Sequence, residues 1–363
     1  MIPFELETLP LRNINWSRLV PLIGKANASL ARYDGILQGI VNTDVLLSPL
    51  TTQEAVLSSR IEGTQATMEE VLEFEASPGR KTEKLEDIKE VINYRKALNS
   101  AVKTLRKRPI SLNMILGIHS DLLEGVRGQF KARGKLRNKQ NWIGKPGTPI
   151  EKATFVPPPP DKVLKLMANL EDYVHFEEKD RLVQLAVVHG QFELIHPFLD
   201  GNGRVGRILV PIYLYEKELL SSPMFYLSSY LESSRDLYYE RLQGISRNSE
   251  WTEWISFFLE AVAAQAEYNS SKAKSILDLY EQMKSTISRL TRSQFSIQAL
   301  DALFDKPIFT TTDFIRKSGI PKPSASRILS TLQKDRLLDI LVEGRGRRAA
   351  ILVFSSLISL VRD

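Results

Sequence analysis

The chain has 363 residues and a mass of 41.2 kDa, 43% of its residues are apolar and 25% are charged, and it carries a net charge of +6. That is enough material for two or three soluble domains with a sizeable core. There are no cysteines, which excludes a disulfide scaffold, a zinc ribbon, an iron–sulfur cluster and a thiol nucleophile. The four histidines (His119, His175, His189, His196) show no zinc-ligand spacing. The acidic start and the lack of any apolar run of about 18 residues argue against a secretory signal or a membrane span, so a cytoplasmic protein with no membrane partner is expected.

In chain order, residues 13–106 read as helices. Apolar residues recur at three and four spacing through Trp16, Leu19, Val20 and Ile23, then Ile36, Leu37 and Ile40, and again from Leu85 to Leu98. Ser77-Pro78-Gly79 breaks this block, Lys107-Arg108-Pro109 ends it, and Ser111 is placed to cap a helix over Leu112–Leu123. Residues 125–160 hold five glycines and four consecutive prolines; the short apolar pieces around Trp142-Ile143 and Thr154-Phe155 suggest two extended segments joined by a turn. Asp161 is expected to cap a helix over 161–175. Further helices follow at 180–195, 204–220 and Trp251–Gln265, then a polar connecting helix from Asn269 to about Leu290.

Residues 291–363 carry a local charge of +5 (12 Lys/Arg against 7 Asp/Glu). Helical signals at Ser293–Phe304, Thr311–Ser318 and Lys322–Lys334 precede two β-rich segments, Leu338–Val342 and Ala349–Phe354, with a basic tip between them. That outline predicts a separate winged helix-turn-helix unit. Its recognition helix would present Lys322, Ser324, Ser326 and Arg327, and its wing Arg345, Arg347 and Arg348, a footprint suited to DNA. A second basic stretch, 127–145, holds seven Lys/Arg and no acid. Either stretch could face a polyanion.

Chemistry concentrates in the run from His196 to Arg207: His-Pro-Phe-Leu-Asp-Gly-Asn-Gly-Arg-Val-Gly-Arg. A helix must stop at Pro197 and a new one begin after Gly203. Between them Gly201 and Gly203 let backbone N–H groups converge with the positive end of the next helix, and Asn202 lends an amide, which together make an anion site. Arg204 and Arg207 are three apart and reach the same place as donors to phosphate oxygens. Asp200 is a hard oxygen ligand of the kind Mg²⁺ uses beside phosphates. His196 is the one group in the run suited to taking a proton near neutral pH.

This run matches the Fic motif, H-P-F-x-D/E-G-N-G-R-x-x-R, at each fixed position, and the chain resembles Fic proteins, which are mostly protein adenylyltransferases. The resemblance implies a mainly α fold: a Fic-type helical bundle with a small β-hairpin flap, plus the C-terminal winged helix. It implies transfer of AMP from ATP to a Ser, Thr or Tyr hydroxyl of a target protein or of the chain itself. His196 would be the base and Asp200 would hold Mg²⁺. ATP would be held by Gly201, Asn202, Gly203, Arg204, Val205, Gly206 and Arg207, with Tyr238 and Tyr239 near the adenine and ribose. Ser58-Ser59-Arg60-Ile61-Glu62-Gly63 is similar to the family's inhibitory pattern, [S/T]-x-x-x-E-[G/N]. Glu62, paired with Arg207, would exclude a productive ATP pose, and in some relatives the same carboxylate also serves removal of AMP. Trp142, Ile143, Thr154 and Phe155 resemble the flap that lays a target segment beside the base by main-chain pairing. His189, Trp251 and Trp254 read as core. The arrangement resembles the SoFic-like bacterial adenylyltransferases, which often form dimers. The expected organisation is a helical region 1–106 with the inhibitory helix at about 50–63, a Fic core 107–268, a connecting helix 269–290 and the winged helix 291–363. The rival reading is a DNA-binding autoregulator whose Fic domain is secondary.

Overall fold

A computed structural model describes residues 3–79, 82–144, 147, 149–344 and 349–362. The expected block of N-terminal helices is present. Helix α1 (Trp16–Gln38) starts where the Asn15 side chain accepts the Arg18 N–H, and its buried stripe of Leu19, Ala26, Leu30, Tyr33 and Leu37 follows the period seen in the sequence. After the short α2 (Thr43–Leu46) comes α3 (Ser48–Ile61), with Pro49 in its first turn; it stops at Glu62, where Gly63 turns the chain at φ +102°. Helix α4 (Met68–Ala76) begins with a reciprocal capping box between Thr67 and Glu70 and ends at the Ser77-Pro78-Gly79 break. Helices α5 (Leu85–Leu105) and α6 (Leu112–Leu122) follow, the latter capped by Ser111, whose hydroxyl accepts the Met114 N–H at 3.4 Å.

The region 125–160 is largely loop. Among the described residues the expected hairpin is reduced to one antiparallel bridge, Ile143 with Phe155, and a single 3₁₀ turn over Ile150–Lys152 lies before the second partner. Helix α7 (Pro160–Val174) corrects one expectation: Asp161 is not its cap. The cap position is Pro159, and Pro160 opens the helix. Its fixed φ pre-organises the first turn, which leaves Asp161 to act on the helix dipole.

Helix α8 (Arg181–Ile195) is capped by Asp180, whose Oδ1 accepts the N–H groups of Leu182 and Val183 at 2.9 Å. Thirteen of its 15 residues are buried, because it runs through the middle of the bundle in contact with α1, α7, α9 (Asn202–Glu216) and two later helices. Helices α10 (Ser228–Ser233) and α11 (Arg235–Asn248) lead to α12 (Trp251–Thr291). Gly190 of α8 is required there: a Cβ would stand 2.7 Å from the Trp254 Nε1, which donates to the Ala186 carbonyl at 2.7 Å.

Helix α12 corrects the expected boundary at 268/269. It is one helix of 41 residues, with no connecting helix of its own. No Gly or Pro interrupts it, and its buried face only narrows, from nearly all-round apolar packing at Trp254–Ala263 to a stripe through Ala273, Ile276, Met283 and Ile287. The polarity change marks the end of the core rather than the end of the helix.

The C-terminal part contains α13 (Ser296–Asp305), β1 (Ile308–Thr310), α14 (Thr311–Ser318), α15 (Lys322–Lys334), β2 (Asp339–Val342), β3 (Ile351–Val353) and α16 (Ser355–Arg362). The sequence reading missed β1 and α16. Strand β1 is three residues long and becomes legible only through its antiparallel partner β3, which sits at the centre of the order β1-β3-β2. Lys322, Ser326 and Arg327 of α15 are exposed; Arg345, Arg347 and Arg348 lie outside the described residues. Nor is this part separate from the rest. Helix α13 packs on α2 and α3, β1 on α4, and α16 on α3 and α12, while Lys306 donates to the Glu75 carbonyl at 3.1 Å.

Candidate active site

Pro197 ends α8, and the chain leaves through His196 in the left-handed region (φ +49°). A non-glycine residue holds that conformation only when its surroundings fix it. Here Arg137 does so. Its Nε donates to the His196 carbonyl at 2.9 Å, its Nη2 to the carbonyls of Pro158 (2.5 Å) and Ile195 (3.3 Å), and its own N–H to the Pro197 carbonyl at 2.9 Å. Asn141 adds a bond from Nδ2 to the Phe198 carbonyl at 2.9 Å.

The next turn is closed by Asn202. Its Oδ1 accepts the Phe198 N–H (2.8 Å) and its Nδ2 donates to the Phe198 carbonyl (2.9 Å), so its amide secures the loop and is not turned to a ligand. Gly201 stands at φ +80° as the cap of α9. The first helical bond of α9 runs from the Val205 N–H to the Gly201 carbonyl at 3.1 Å, which leaves the N–H groups of Asn202, Gly203 and Arg204 directed out of the helix end. Phe198 is fully buried and stacks on His119 with ring centroids 3.8 Å apart.

Charged groups converge on this nest. Arg204, 4% exposed, donates from Nη1 to Glu90 of α5 at 3.0 Å, and its Nη2 lies 3.6 Å from Asp200 Oδ1. Asp200 Oδ2 takes the Lys131 ammonium at 3.1 Å. Arg207 is buried and donates from Nε to Ser58 Oγ (2.8 Å), and from Nη2 to the Ser58 carbonyl (2.9 Å) and to Glu62 Oε1 (2.6 Å). The Glu62 carboxylate lies against Gly203, in the space that a Cβ there would fill. Ser58 and Glu62, four apart at the end of α3, therefore meet the motif's second arginine from one face, as their spacing requires.

These surroundings set the ionisation states. Burial pushes the His196 pKa down to about 4, which keeps the imidazole neutral at pH 7. Its Nδ1 faces the Glu193 carbonyl at 3.3 Å; an N–H there leaves Nε2 as the lone-pair nitrogen. Burial opposes the charge on Glu62, yet the charge and hydrogen bond of Arg207, with the charge of Arg204 adding to them, hold its pKa below the ordinary carboxylate value. The Glu193 carboxyl, on the face of Gly206, is pushed up to about 7 by burial.

Of the remaining expected site residues, Val205 and Gly206 lie buried in the first turns of α9. Tyr238 is buried, and its hydroxyl bonds His189 Nε2 at 3.0 Å; the other histidine nitrogen meets the Gly206 carbonyl at 3.2 Å. His189 also stacks on Trp254, so His189 and Trp254 are core, as read, and Trp251 is buried beside them. Tyr239 is 36% exposed beside Tyr238, which leaves Tyr239 as the ring of the pair that faces solvent. Trp142 and Ile143 are about two-fifths exposed and Thr154 is exposed. Arg137, His119, Glu90 and Lys131 took no part in the sequence reading of the site. The acid-free run 127–145 holds Lys131 and Arg137, and nothing in the sequence marked His119 or Glu90 for the site.

The comparisons with known proteins settle what this constellation belongs to. Residues 20–103 match the Fic/DOC family N-terminal region and residues 109–214 the Fic/DOC family itself, together just over half of the chain. The chain belongs to the Fic/DOC family. A probable protein adenylyltransferase of Aquifex aeolicus is 30% identical over 197 residues, 52% of this chain and 56% of that protein. Protein adenylyltransferase fic-1 of Caenorhabditis briggsae is 32% identical over 120 residues, 32% of this chain and 22% of that protein. This Fic chain thus spans about half the length of the first relative and about a fifth of the second. Among solved structures, a Fic family protein from Desulfovibrio desulfuricans G20 superposes with a TM-score of 0.59 at 19% identity, covering 97% of this chain and 98% of that one. Fic-1 of Caenorhabditis elegans gives 0.52 at 18% identity over 73% of this chain and 74% of that one. At such identities the likeness is one of fold, and it extends through the C-terminal part.

Proposed function

We propose that this Fic protein is a protein adenylyltransferase that moves AMP from ATP to a Ser, Thr or Tyr hydroxyl of a target protein, or of itself, and that Glu62 holds it off. One observation carries the reading: a neutral imidazole stands beside a helix-end nest whose second arginine is tied to a carboxylate from α3.

In the reaction, His196 Nε2 takes the proton of the hydroxyl while the hydroxyl oxygen attacks the α-phosphorus. The bond from that phosphorus to the bridging oxygen breaks, and pyrophosphate leaves with the electron pair. The products are the phosphodiester, pyrophosphate and a protonated His196. Transfer at phosphorus needs placement and charge neutralisation more than covalent help. The N–H groups of Asn202, Gly203 and Arg204, with the guanidiniums of Arg204 and Arg207, supply both to the leaving phosphates. Trp142 and Ile143, at the exposed flap bridge, would receive the target segment by main-chain pairing.

Asp200 fits a magnesium ion: its carboxylate already accepts a cation, the Lys131 ammonium, at 3.1 Å. Magnesium there would be held by this one carboxylate together with phosphate oxygens and water. When bound, magnesium would neutralise and orient phosphate oxygens. The C-terminal part is proposed to be a winged helix, its α15 presenting Lys322, Ser326 and Arg327 outward. The experiment that tests the reading incubates the Glu62→Gly chain with ATP labelled at either the α- or the γ-phosphorus. Label is expected from the α position alone, and His196→Ala in the same background is expected to abolish it. Incorporation from the γ position, or a fully active His196→Ala, overturns the reading.

A further inference from the structure

The turn between α6 and the flap presses directly on the proposed nucleotide site. Gly128 passes so close that a Cβ there would stand 2.8 Å from Asp200 Oδ2, and its φ of +85° suits glycine. Six residues on, the Gly134 N–H donates to His119 Nδ1 at 3.0 Å, and the other nitrogen of that ring meets the Asp200 carbonyl at 3.0 Å. Arg133 ties the turn to the Ser120 carbonyl at 2.7 Å. The turn is therefore clamped at several points to the same backbone that carries Asp200.

Two cations of this turn stand at the ends of a string of alternating charge. Arg127 Nε donates to Glu90 Oε1 (2.9 Å), Glu90 Oε2 accepts from Arg204 (3.0 Å), Arg204 lies 3.6 Å from Asp200 Oδ1, and Asp200 Oδ2 meets Lys131 (3.1 Å). The middle members, Glu90 and Arg204, are 6% and 4% exposed. Lys131 at the outer end has a side chain 58% exposed. An exposed ion pair contributes only about 0–1 kcal/mol, so Lys131 leaves its partner easily. A divalent cation on Asp200 would repel the ammonium from Oδ2, and the clamped turn leaves its flexible four-carbon stem to swing over the phosphate-binding helix end.

We propose that Lys131 is a nucleotide-positioning residue, whose ammonium rests on Asp200 in the free protein and passes to a phosphate oxygen of ATP when that carboxylate is taken by a divalent cation. The proposal rests on the adenylyltransferase reading of the same site. It differs from a purely local role, in which Lys131 only neutralises Asp200, in what happens once Asp200 has lost its charge.

The test is a double-mutant cycle on ATP binding, measured by calorimetry on the full chain in the Glu62→Gly background. Lys131→Met is expected to raise the Kd for ATP about tenfold in magnesium, the scale of one charge-assisted hydrogen bond. In an Asp200→Asn background with magnesium chelated, the lysine is free to meet phosphate without a cation, and the same substitution is again expected to cost about tenfold. Lys131→Arg is expected to restore most of the affinity. If Lys131→Met changes nothing once Asp200 is Asn, the lysine is only a counter-ion and the proposal fails while the activity stands. A Glu62→Gly parent that binds no ATP overturns both.

Discussion

Replacing Glu62 by Gly removes one of three hydrogen bonds on Arg207 and the one carboxylate packed against Gly203. The two bonds to Ser58 remain, so the guanidinium stays placed for a phosphate. A hydrogen bond to a charged group contributes about 1.5–3 kcal/mol. The Glu62 side chain is 35% exposed, which favours the lower part of that range, about 1.5–2 kcal/mol. An incoming phosphate must displace this contact, so its removal is expected to lower the Kd for ATP by about ten- to thirtyfold. Glu62→Gln keeps the length and removes the charge, and is expected to give a smaller gain. Because Arg207 holds the Glu62 pKa below the ordinary carboxylate value, the wild-type contact should persist from pH 5 to 8, and mild acid should not mimic the variant. The assay is calorimetric titration of ATP into full-length wild type, Glu62→Gly and Glu62→Gln, with thermal melts as the folding control. Kd values within twofold of wild type, in variants that melt normally, would refute the reasoning.

Other consequences are also measurable. Arg137→Met strips the donor from several buried carbonyls around the His196 turn; we expect a loss of about 1–3 kcal/mol in thermal stability. We also expect a fall in transfer rate on the order of tenfold with ATP affinity little changed, read from melts and single-turnover labelling. Glu54, buried in α3, accepts from Ser228 N–H (3.1 Å), Ser228 Oγ (2.6 Å) and Tyr94 OH (3.3 Å), and burial pushes its pKa up to about 7. A raised carboxyl stabilises the fold fully below about pH 4.5 and loses that contribution as pH rises through 7. The melting temperature of wild type minus that of Glu54→Gln should therefore decrease from pH 5 to pH 8, and a flat difference would reject a protonated Glu54.

The candidate site was legible in the sequence to the extent that its chemistry is local. The run from His196 to Arg207 carries a helix stop, a glycine turn and a helix start within twelve residues, which short-range sterics favour, although the left-handed turn at His196 is held by the distant Arg137. Ser58 and Glu62 were legible for the same reason, since four residues make one helical turn. Where a side chain had more than one available partner the reading went astray. Asn202 was expected to lend its amide to a ligand, but closing the loop on Phe198 satisfies two buried backbone groups at once.

Local pattern determined most of the helices, caps such as Ser111, the positive helix end and the identity of the groups placed there, but not the cap of α7, the length of α12 or the existence of α16. Only the tertiary structure decided which distant charges meet. The pairing of Glu62 with Arg207 across 145 positions was implied by the family resemblance and by no local pattern; like the burial of Glu90 of α5 on Arg204 and the clamp of Arg137 on the His196 carbonyl, it depends on how helices pack. The same holds for the three-residue strand β1, which exists only because β3 offers it hydrogen bonds, and for the C-terminal part, which packs on α3 and α4. Such contacts follow from burial shared between segments far apart in the chain, and no periodicity within either segment records the partner it will find.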